Sequence, residues 1–177
     1  DNDLIFFHSP KIAGYLRRVF NSLIEGKKPP LSFQGRPEIP VQIYLNPKCR
    51  PIILKELKSA QNEIFFSHYV FTDPEILQVL KEKTSRGIKV SGILERDWTG
   101  NDTAFQELKS SGADMAWDKN YYLNHYKVFI IDRKKIITGS YNPSVAAGRN
   151  QEILAVIDGP EVARFYRRNL ERQTFRF

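Results

Sequence analysis

The chain has 177 residues, 41% of them hydrophobic and 12% aromatic, which is enough to bury one good core and too little for two large ones. Its 27 lysines and arginines outnumber its 20 aspartates and glutamates, and the net charge of +7 favours anionic partners such as nucleic acid or acidic lipid headgroups. A single cysteine, Cys49, excludes an internal disulfide framework and a cysteine-based zinc cluster and leaves the cellular compartment undecided. No apolar run approaches the roughly 18 residues of a membrane span, so we expect no integral membrane segment.

The first 40 residues differ from the rest of the chain. Residues 1–28 have the pattern of a strand followed by a helix, and residues 29–40 contain four prolines, which predicts an extended linker. The start of the chain also resembles its end at an offset of 150 positions, with five identities: Leu4/Leu154, Pro10/Pro160, Ala13/Ala163, Arg17/Arg167 and Arg18/Arg168. Any strand-proline-helix unit would share some of this similarity, but five identities without a gap favour an internal repeat. We therefore expect residues 1–28 to be the tail of a preceding homologous repeat.

Strand and helix patterns alternate through residues 41–177, which we take as one domain. Runs of β-branched and aromatic residues predict strands at 41–45, 63–71, 89–95, 113–117 and 152–158, and two more within 127–140 joined by a turn at 132–134. Apolar residues at helical spacing predict helices at 50–61, 72–87 and 103–110, and a last helix from residue 160. Thr72 offers the N-cap of the second helix, with Glu75 three residues later. The order predicts an α/β fold, a mixed β-sheet flanked by helices on both faces, because the late strands follow one another with little between them.

Polar side chains recur around the last three strands. His125 and Lys127 alternate on a predicted strand and project to one face, roughly 6 to 7 Å apart. Asp132 lies at the end of that strand, and Ser140 and Asn142 follow the returning strand. A phosphate ester needs this mixture: a cation and neutral donors for its non-bridging oxygens, and a group that attacks or moves protons. Imidazole suits the last role because its ordinary pKa of about 6.5 leaves it largely neutral near pH 7.

These residues resemble the signature of the phospholipase D superfamily. The order His-x-Lys, four residues, Asp, six residues, Gly-Ser-x-Asn is fitted without a gap by "HYKVFIIDRKKIITGSYN". The likeness extends over most of residues 40–172 and is greatest to the small bacterial endonucleases of the superfamily. It implies a phospholipase D-like α/β sandwich, with 41–177 as a catalytic half-domain, and a phosphodiesterase that works through a phosphohistidine intermediate. In this family two such motifs face each other across one site; one histidine attacks phosphorus and the other protonates the leaving oxygen.

The resemblance also implies a role for each residue of the motif. His125 is expected to be the nucleophile or the general acid, Lys127 and Asn142 to hold phosphate oxygens, and Ser140 to support them. Asp132 is expected to be an orienting and structural group rather than a proton shuttle. No set of ligands at metal-binding spacing occurs in the sequence, so we expect no metal and no other cofactor, with charge stabilisation from Lys127 and the lysine of the second motif.

Two parts of the family pattern are less directly matched. The family's acidic residue that pairs with an active-site imidazole corresponds to Glu152, with Gln151 as the competing alignment because the preceding loop is one residue short. Nucleophile and general acid need opposite protonation states, so one histidine cannot serve as both. Of the other two histidines, His68 lies within a predicted strand as a hydrogen-bonded or edge residue, and His8 lies in the N-terminal tail. We expect the second histidine from an upstream repeat, which the 150-residue offset favours, or from a homodimer partner.

The sequence indicates the class of substrate less directly than the class of reaction. The positive charge and the arginines near the C-terminus favour a polyanion, and we expect a nuclease that cleaves DNA or RNA. The tyrosines near the motif could stack on bases, although aromatics on strands more often pack in a core: Tyr121, Tyr122, Tyr126 and Tyr141. Phospholipid hydrolysis or phosphatidyl transfer is the second hypothesis, since the same motif serves both chemistries. A third is a non-catalytic half retained for dimerisation or nucleic-acid binding, which the complete motif argues against.

Overall fold

The computed structural model describes residues 9–35, 40–119 and 121–174. Within them, eight strands form one sheet in the order β1-β2-β8-β7-β6-β3-β4-β5. The strands are β1 (Ser32–Gly35), β2 (Val41–Leu45), β3 (Glu63–His68), β4 (Lys89–Leu94), β5 (Asp114–Trp117), β6 (Lys127–Ile131), β7 (Lys135–Gly139) and β8 (Ile153–Asp158). The helices are α1 (Pro10–Ile24), α2 (Cys49–Ser59), α3 (Pro74–Ser85), α4 (Asp102–Ser110) and α5 (Pro160–Thr174). No described helix is long and apolar enough to cross a membrane.

The sheet is mixed, as predicted. Strands β3, β4 and β5 run parallel to one another, and every other neighbouring pair is antiparallel. The parallel pairs are those whose connections contain helices, α3 and α4, because a parallel return needs a crossover of a dozen or more residues. β6 and β7 are joined directly by the turn at residues 132–134, so they pair antiparallel.

Helices cover both faces of the sheet, which confirms the predicted α/β sandwich. Alternate residues of β6 enter different cores: Phe129 and Ile131 pack beneath α2, α3 and α4, whereas Val128 and Ile130 pack beneath α1 and α5. A strand covered on both sides must be apolar at consecutive positions, which explains the uninterrupted run at 128–131. We call these the α2–α4 face and the α1–α5 face.

Two local predictions were wrong. Strand β3 ends at His68 rather than at residue 71, because the Phe71 amide donates to the side chain of Asn101 (2.8 Å) instead of a neighbouring strand. Helix α3 is capped by Asp73 rather than Thr72. The Asp73 carboxylate accepts the amides of the first helical turn and is also paired with Arg50 (2.6 Å), an interaction that a threonine hydroxyl cannot make.

The N-terminal segment packs on this domain. Helix α1 begins after Ser9, whose side chain caps it, and its buried residues join the α1–α5 core. The Tyr15 hydroxyl donates to the Pro30 carbonyl (2.9 Å) and its ring lies 5.4 Å from that of Phe33. Part of the proline-rich stretch, expected to be a linker, is the edge strand β1 and pairs with β2. The strand predicted before α1 lies outside the described residues, and the assignment of 1–28 to a preceding repeat stays a prediction.

Candidate active site

The motif lies at the end of the sheet where the three parallel strands have their carboxyl ends. The strands β3, β4 and β5 all end there, and the antiparallel β6 begins there with Lys127 paired in register with His68. Loops after parallel strands are where α/β folds place their ligand sites, because each strand delivers a loop to the same end of the sheet. The segment that carries His125 enters the sheet at this point.

His125 and Lys127 are adjacent and both reach solvent. His125 is exposed and precedes β6 rather than lying in it, which differs from the predicted strand pair. The Lys127 ammonium donates to the backbone carbonyl of His125 (2.9 Å) and lies 5.6 Å from the ring centroid of Tyr69. The same tyrosine ring meets the His125 imidazole at 5.1 Å in an edge-on arrangement. Histidine, lysine and tyrosine therefore form one continuous cluster.

Burial and neighbouring charges shift the pKa values of both groups. Burial lowers the pKa of His125 below its ordinary value, and the nearby charge of Lys127 lowers it further. Burial also lowers the pKa of Lys127 to about 8, while the carboxylate of Glu152 acts in the opposite direction. Near pH 7 the site thus holds a neutral imidazole beside a largely protonated amine, which is the combination that a nucleophile and an anion-binding cation require.

Glu152 and Ser140 form the second part of the site. The Ser140 hydroxyl donates to the Glu152 carboxylate and accepts the Ile153 amide (3.0 Å). Asn150 donates its side-chain amide to the other oxygen of Glu152 (3.1 Å). Glu152 is 9% exposed, whereas Gln151 is exposed to solvent. Of the two competing alignments, the structure brings Glu152 to the motif.

Side-chain alternation along β8 explains why Glu152 faces inward. Leu154 and Val156 pack in the core of the α2–α4 face, and Glu152 precedes them at the same two-residue spacing. Lys127 shares this spacing with Phe129 and Ile131 on β6. This alternation can be read from the sequence. It distinguishes Glu152, which lies on the same side of the chain as Leu154 and Val156, from its neighbour Gln151.

Packing requires the glycine of the motif, Gly139, and leaves the side-chain oxygen of Asn142 buried. A Cβ at Gly139 would lie 2.1 Å from the Ile153 carbonyl oxygen, so no side chain fits where β7 passes β8 on the way to Ser140. The buried Oδ1 atom of Asn142 has no hydrogen-bond partner among the described residues.

Asp132 lies away from this cluster. It lies in the turn after β6, about 16 Å along the strand from Lys127 at the usual rise per residue. Its carboxylate accepts the backbone amides of Gln61 (3.0 Å), Asn62 (2.7 Å) and Glu63 (3.0 Å), and so fixes the entry into β3. Burial would raise the pKa of Asp132, but these amide donors lower it below the ordinary value. The geometry supports the structural role expected for this residue.

A buried polar network, which the sequence analysis missed, positions the histidine segment. Asn124, immediately before His125, is 3% exposed and exchanges hydrogen bonds with the Ser67 hydroxyl (3.0 and 3.2 Å). Its backbone amide donates to the buried carboxylate of Glu95 (2.5 Å). Glu95 was visible as the polar residue that ends an apolar strand, but nothing local in the sequence indicates that it meets Asn124. These residues hold the backbone of His125 without touching the reacting groups.

The remaining histidines and tyrosines divide between core and surface. His68 lies in a central strand, is 1% exposed and packs 4.4 Å from the ring of Phe129; neither ring nitrogen has a partner among the described residues. It is therefore neither the edge residue nor the hydrogen-bonded one expected, and burial lowers its pKa well below the ordinary value. His8 lies outside the described residues. The tyrosines separate clearly: Tyr126 (8%) and Tyr141 (2%) are buried, whereas Tyr121 (95%) and Tyr122 (71%) are exposed.

Within the described parts of the chain, no three histidine, cysteine, aspartate or glutamate side chains are grouped so that they could hold a metal ion.

Comparisons with known proteins agree with this fold and motif. Residues 53–174 match the family model for "Cardiolipin synthase, PLD-like domain". The chain is 35% identical over 123 residues to "Phospholipase D" of Rickettsia felis, covering 68% of this chain and 62% of that protein. It is 25% identical over 122 residues to "Mitochondrial cardiolipin hydrolase" of Mus musculus, covering 68% of this chain and 55% of the mouse protein. The chain thus spans about three fifths of the length of its curated relatives.

Among solved structures, the phospholipase D family member Nuc from Salmonella typhimurium superimposes with a TM-score of 0.69 and 29% identity. The superposition covers 75% of this chain and 92% of Nuc. A mixed sheet with helices on both faces and a histidine-lysine motif at the edge defines a phospholipase D-like domain. Because the family model matches most of this chain, residues 53–174, the chain belongs to the phospholipase D superfamily.

Proposed function

We propose that this domain is a metal-independent phosphodiesterase that hydrolyses nucleic acid through a phosphohistidine on His125. The observation that carries the proposal is the exposed imidazole of His125 next to the Lys127 ammonium. The pKa values of both groups are lowered, so that near pH 7 the imidazole is neutral and the amine is largely protonated. A scaffold has no use for this pairing, which makes the non-catalytic alternative the weakest of the three hypotheses.

The reaction has two balanced steps. A ring nitrogen of His125 attacks phosphorus, the bond to the leaving oxygen breaks, and the second motif's histidine supplies the proton that this oxygen takes. Water then attacks phosphorus, gives a proton to that histidine, and breaks the phosphorus–nitrogen bond to restore His125. Lys127 and Asn142 bind the non-bridging oxygens, where negative charge is concentrated in both transition states.

Ser140 and Glu152 hold this arrangement in place. The carboxylate accepts from Ser140 and raises the pKa of Lys127, which keeps the amine protonated despite its burial. In the assembled site, where a second imidazole arrives, a carboxylate so close to the motif can also favour the protonated form of one histidine. This difference in protonation makes one histidine the nucleophile and the other the general acid.

Nucleic acid is the favoured substrate on charge. The net charge of +7 suits a polyanion. A phospholipid is the second candidate, because curated relatives are named phospholipase D and cardiolipin hydrolase. The second histidine comes either from an upstream repeat or from a homodimer partner, and His125 is exposed toward whichever supplies it.

A cleavage assay with a mass measurement tests the proposal. Purified chain is incubated with labelled single-stranded DNA, RNA and a phosphatidylcholine analogue in EDTA, beside His125→Ala, while light scattering reports the oligomeric state. Nucleic-acid cleavage that survives EDTA and disappears in the variant supports the proposal; if it also tracks a dimer, the site assembles from two chains. Lipid turnover alone would replace it with the second hypothesis. Silence on all substrates, persisting after an upstream repeat is supplied, would leave the non-catalytic hypothesis.

A further inference from the structure

We propose that Trp98 and Tyr69 form a base-stacking subsite beside His125, which takes an unpaired nucleobase flanking the phosphate under attack. This inference rests on the proposed nuclease function and names the part of the substrate that the domain reads. Trp98 follows β4 and Tyr69 follows β3, so both leave the sheet at the edge that carries the motif.

The rings form a continuous row that leads to the reacting group. The indole of Trp98 lies 5.6 Å from the ring of Tyr69, which in turn lies 5.1 Å from the imidazole of His125. The Lys127 ammonium lies 5.6 Å from the Tyr69 centroid, so the anion-binding cation stands at the same ring. A nucleotide with its phosphate at Lys127 would therefore have its base within reach of the aromatic row.

Trp98 is both exposed and fixed in position. It is 41% exposed, so one side of the indole is accessible to a ligand. A Cβ at Gly100 would lie 2.7 Å from the indole Nε1 and 3.3 Å from Cδ1, so the ring rests directly on the glycine backbone. The absence of a side chain at Gly100 makes room for the indole.

Asn101 ties the loop of Trp98 to the backbone of Tyr69. Its side chain is fully buried, donates to the carbonyls of Tyr69 (2.9 Å) and Glu95 (3.0 Å), and accepts the Phe71 amide (2.8 Å). Because the two loops are joined through this one amide, the two rings keep their relative position. A preformed aromatic surface binds with little loss of conformational entropy.

The charges beside the row suit a nucleic-acid backbone. Arg96 and Lys119 are exposed on the loops that follow β4 and β5, whereas of the three carboxylates on these loops only Asp97 is exposed and Glu95 and Asp118 are buried. Stacking on aromatic rings tolerates every base, because each has a π-face, so the subsite selects unpaired bases rather than a sequence. A lipid headgroup would use the same cations but would offer no planar ring to the indole.

Tryptophan fluorescence tests the subsite directly. The chain has two tryptophans, and Trp117 stacks on Phe105 at 3.9 Å, so Trp117→Phe retains a stacked ring and leaves Trp98 as the single reporter. In a His125→Ala background, a short oligothymidylate is expected to quench this emission saturably, and an abasic oligomer of the same charge to bind without quenching. Equal quenching by the abasic oligomer, or binding without any quenching, would overturn the inference. A blue shift on anionic vesicles in place of quenching would overturn it in favour of a lipid surface.

A kinetic comparison separates this inference from the proposed function. Trp98→Ala is expected to raise KM for oligothymidylate roughly 5- to 100-fold and to leave kcat/KM for the abasic oligomer unchanged, while Trp98→Phe restores most of the loss. Phe165→Ala, which removes an exposed aromatic of α5 away from the motif, is the matched control and should change neither. Equal losses on both oligomers would refute the subsite while leaving the nuclease intact. An inactive parent chain that still shows base-dependent quenching would refute the nuclease while leaving the subsite intact.

Discussion

Replacing Lys127 with methionine should strongly reduce activity and make the fold more stable. The pKa of Lys127 falls from 10.5 to about 8, chiefly because burial disfavours the charged amine. At about 1.4 kcal/mol per pKa unit, holding the amine charged near pH 7 costs roughly 3 kcal/mol at most, and partial solvent access reduces this figure. Methionine keeps the apolar stem but gives up the hydrogen bond to the His125 carbonyl, which offsets about 1 kcal/mol. We expect a net gain of about 1 to 2 kcal/mol in the free energy of unfolding at pH 7.

The dependence of this gain on pH identifies its cause. Below pH 8 Lys127 is charged in both folded and unfolded states, and the destabilisation is fully present. Between pH 8 and 10.5 the unfolded state binds more protons, so the stability of the unmodified chain rises with pH relative to Lys127→Met. The advantage of the variant should therefore shrink as pH rises through this window and nearly vanish above it.

Urea unfolding of both proteins from pH 7 to pH 10 measures this difference. Lys89→Met, at an exposed position at the start of β4, is the matched control and should change stability by no more than about 0.5 kcal/mol. The activity of Lys127→Met should fall about 100- to 1,000-fold, as expected for loss of a group that stabilises transition-state charge. A variant less stable than the parent at pH 7, or a stability difference that stays constant with pH, would refute the argument that burial of the charged Lys127 amine destabilises the fold.

Three further predictions concern the rest of the site and its support. kcat/KM should rise with pH as His125 loses its proton, and this rise should occur below pH 6.5, the ordinary pKa of histidine. It should fall again near pH 8 as Lys127 loses its proton. A value of kcat/KM that continues to rise above pH 9 would exclude Lys127 as the essential cation. Glu152→Gln should shift this descending limb to lower pH because the carboxylate raises the pKa of Lys127, whereas Gln151→Ala should leave it in place; the reverse pattern would restore the competing alignment. Asp132→Asn should lower the free energy of unfolding by about 1 to 3 kcal/mol while kcat/KM per folded molecule is unchanged. Because the carboxylate pKa is lowered in the folded state, this difference should be present above pH 3.8 and shrink as pH falls below it; an intact fold with lost activity would give Asp132 a chemical role after all.

The Asn124–Glu95 network gives the site a support that is distinct from its chemistry. Two buried polar side chains fully engaged with backbone and with Ser67 fix one conformation of the chain before His125. A nucleophile held by packing and hydrogen bonds needs little further ordering when substrate binds. The network accounts for polar residues placed inside an otherwise apolar end of the sheet.

The sequence by itself determined the order of strands and helices, the mixed sheet and most of the motif. Alternation and helical spacing are local properties, and the β6–β7 turn at residues 132–134 was predictable because the polar run there separates two apolar strands. The motif was equally local, since a fixed spacing on two adjacent strands places His125, Lys127 and Ser140 close together wherever the hairpin forms.

Only the tertiary structure decided which residues meet across distant parts of the chain. It placed Asp132 at the far end of β6, where it binds the amides before β3, and it brought Glu95 to Asn124 and Trp98 to Tyr69. These contacts join segments that lie tens of residues apart, and no local pattern encodes them, because strand order in a sheet is set by which faces and edges the whole chain can bury. The sequence therefore identified the residues of the motif, and the fold determined which residues from distant parts of the chain lie against them.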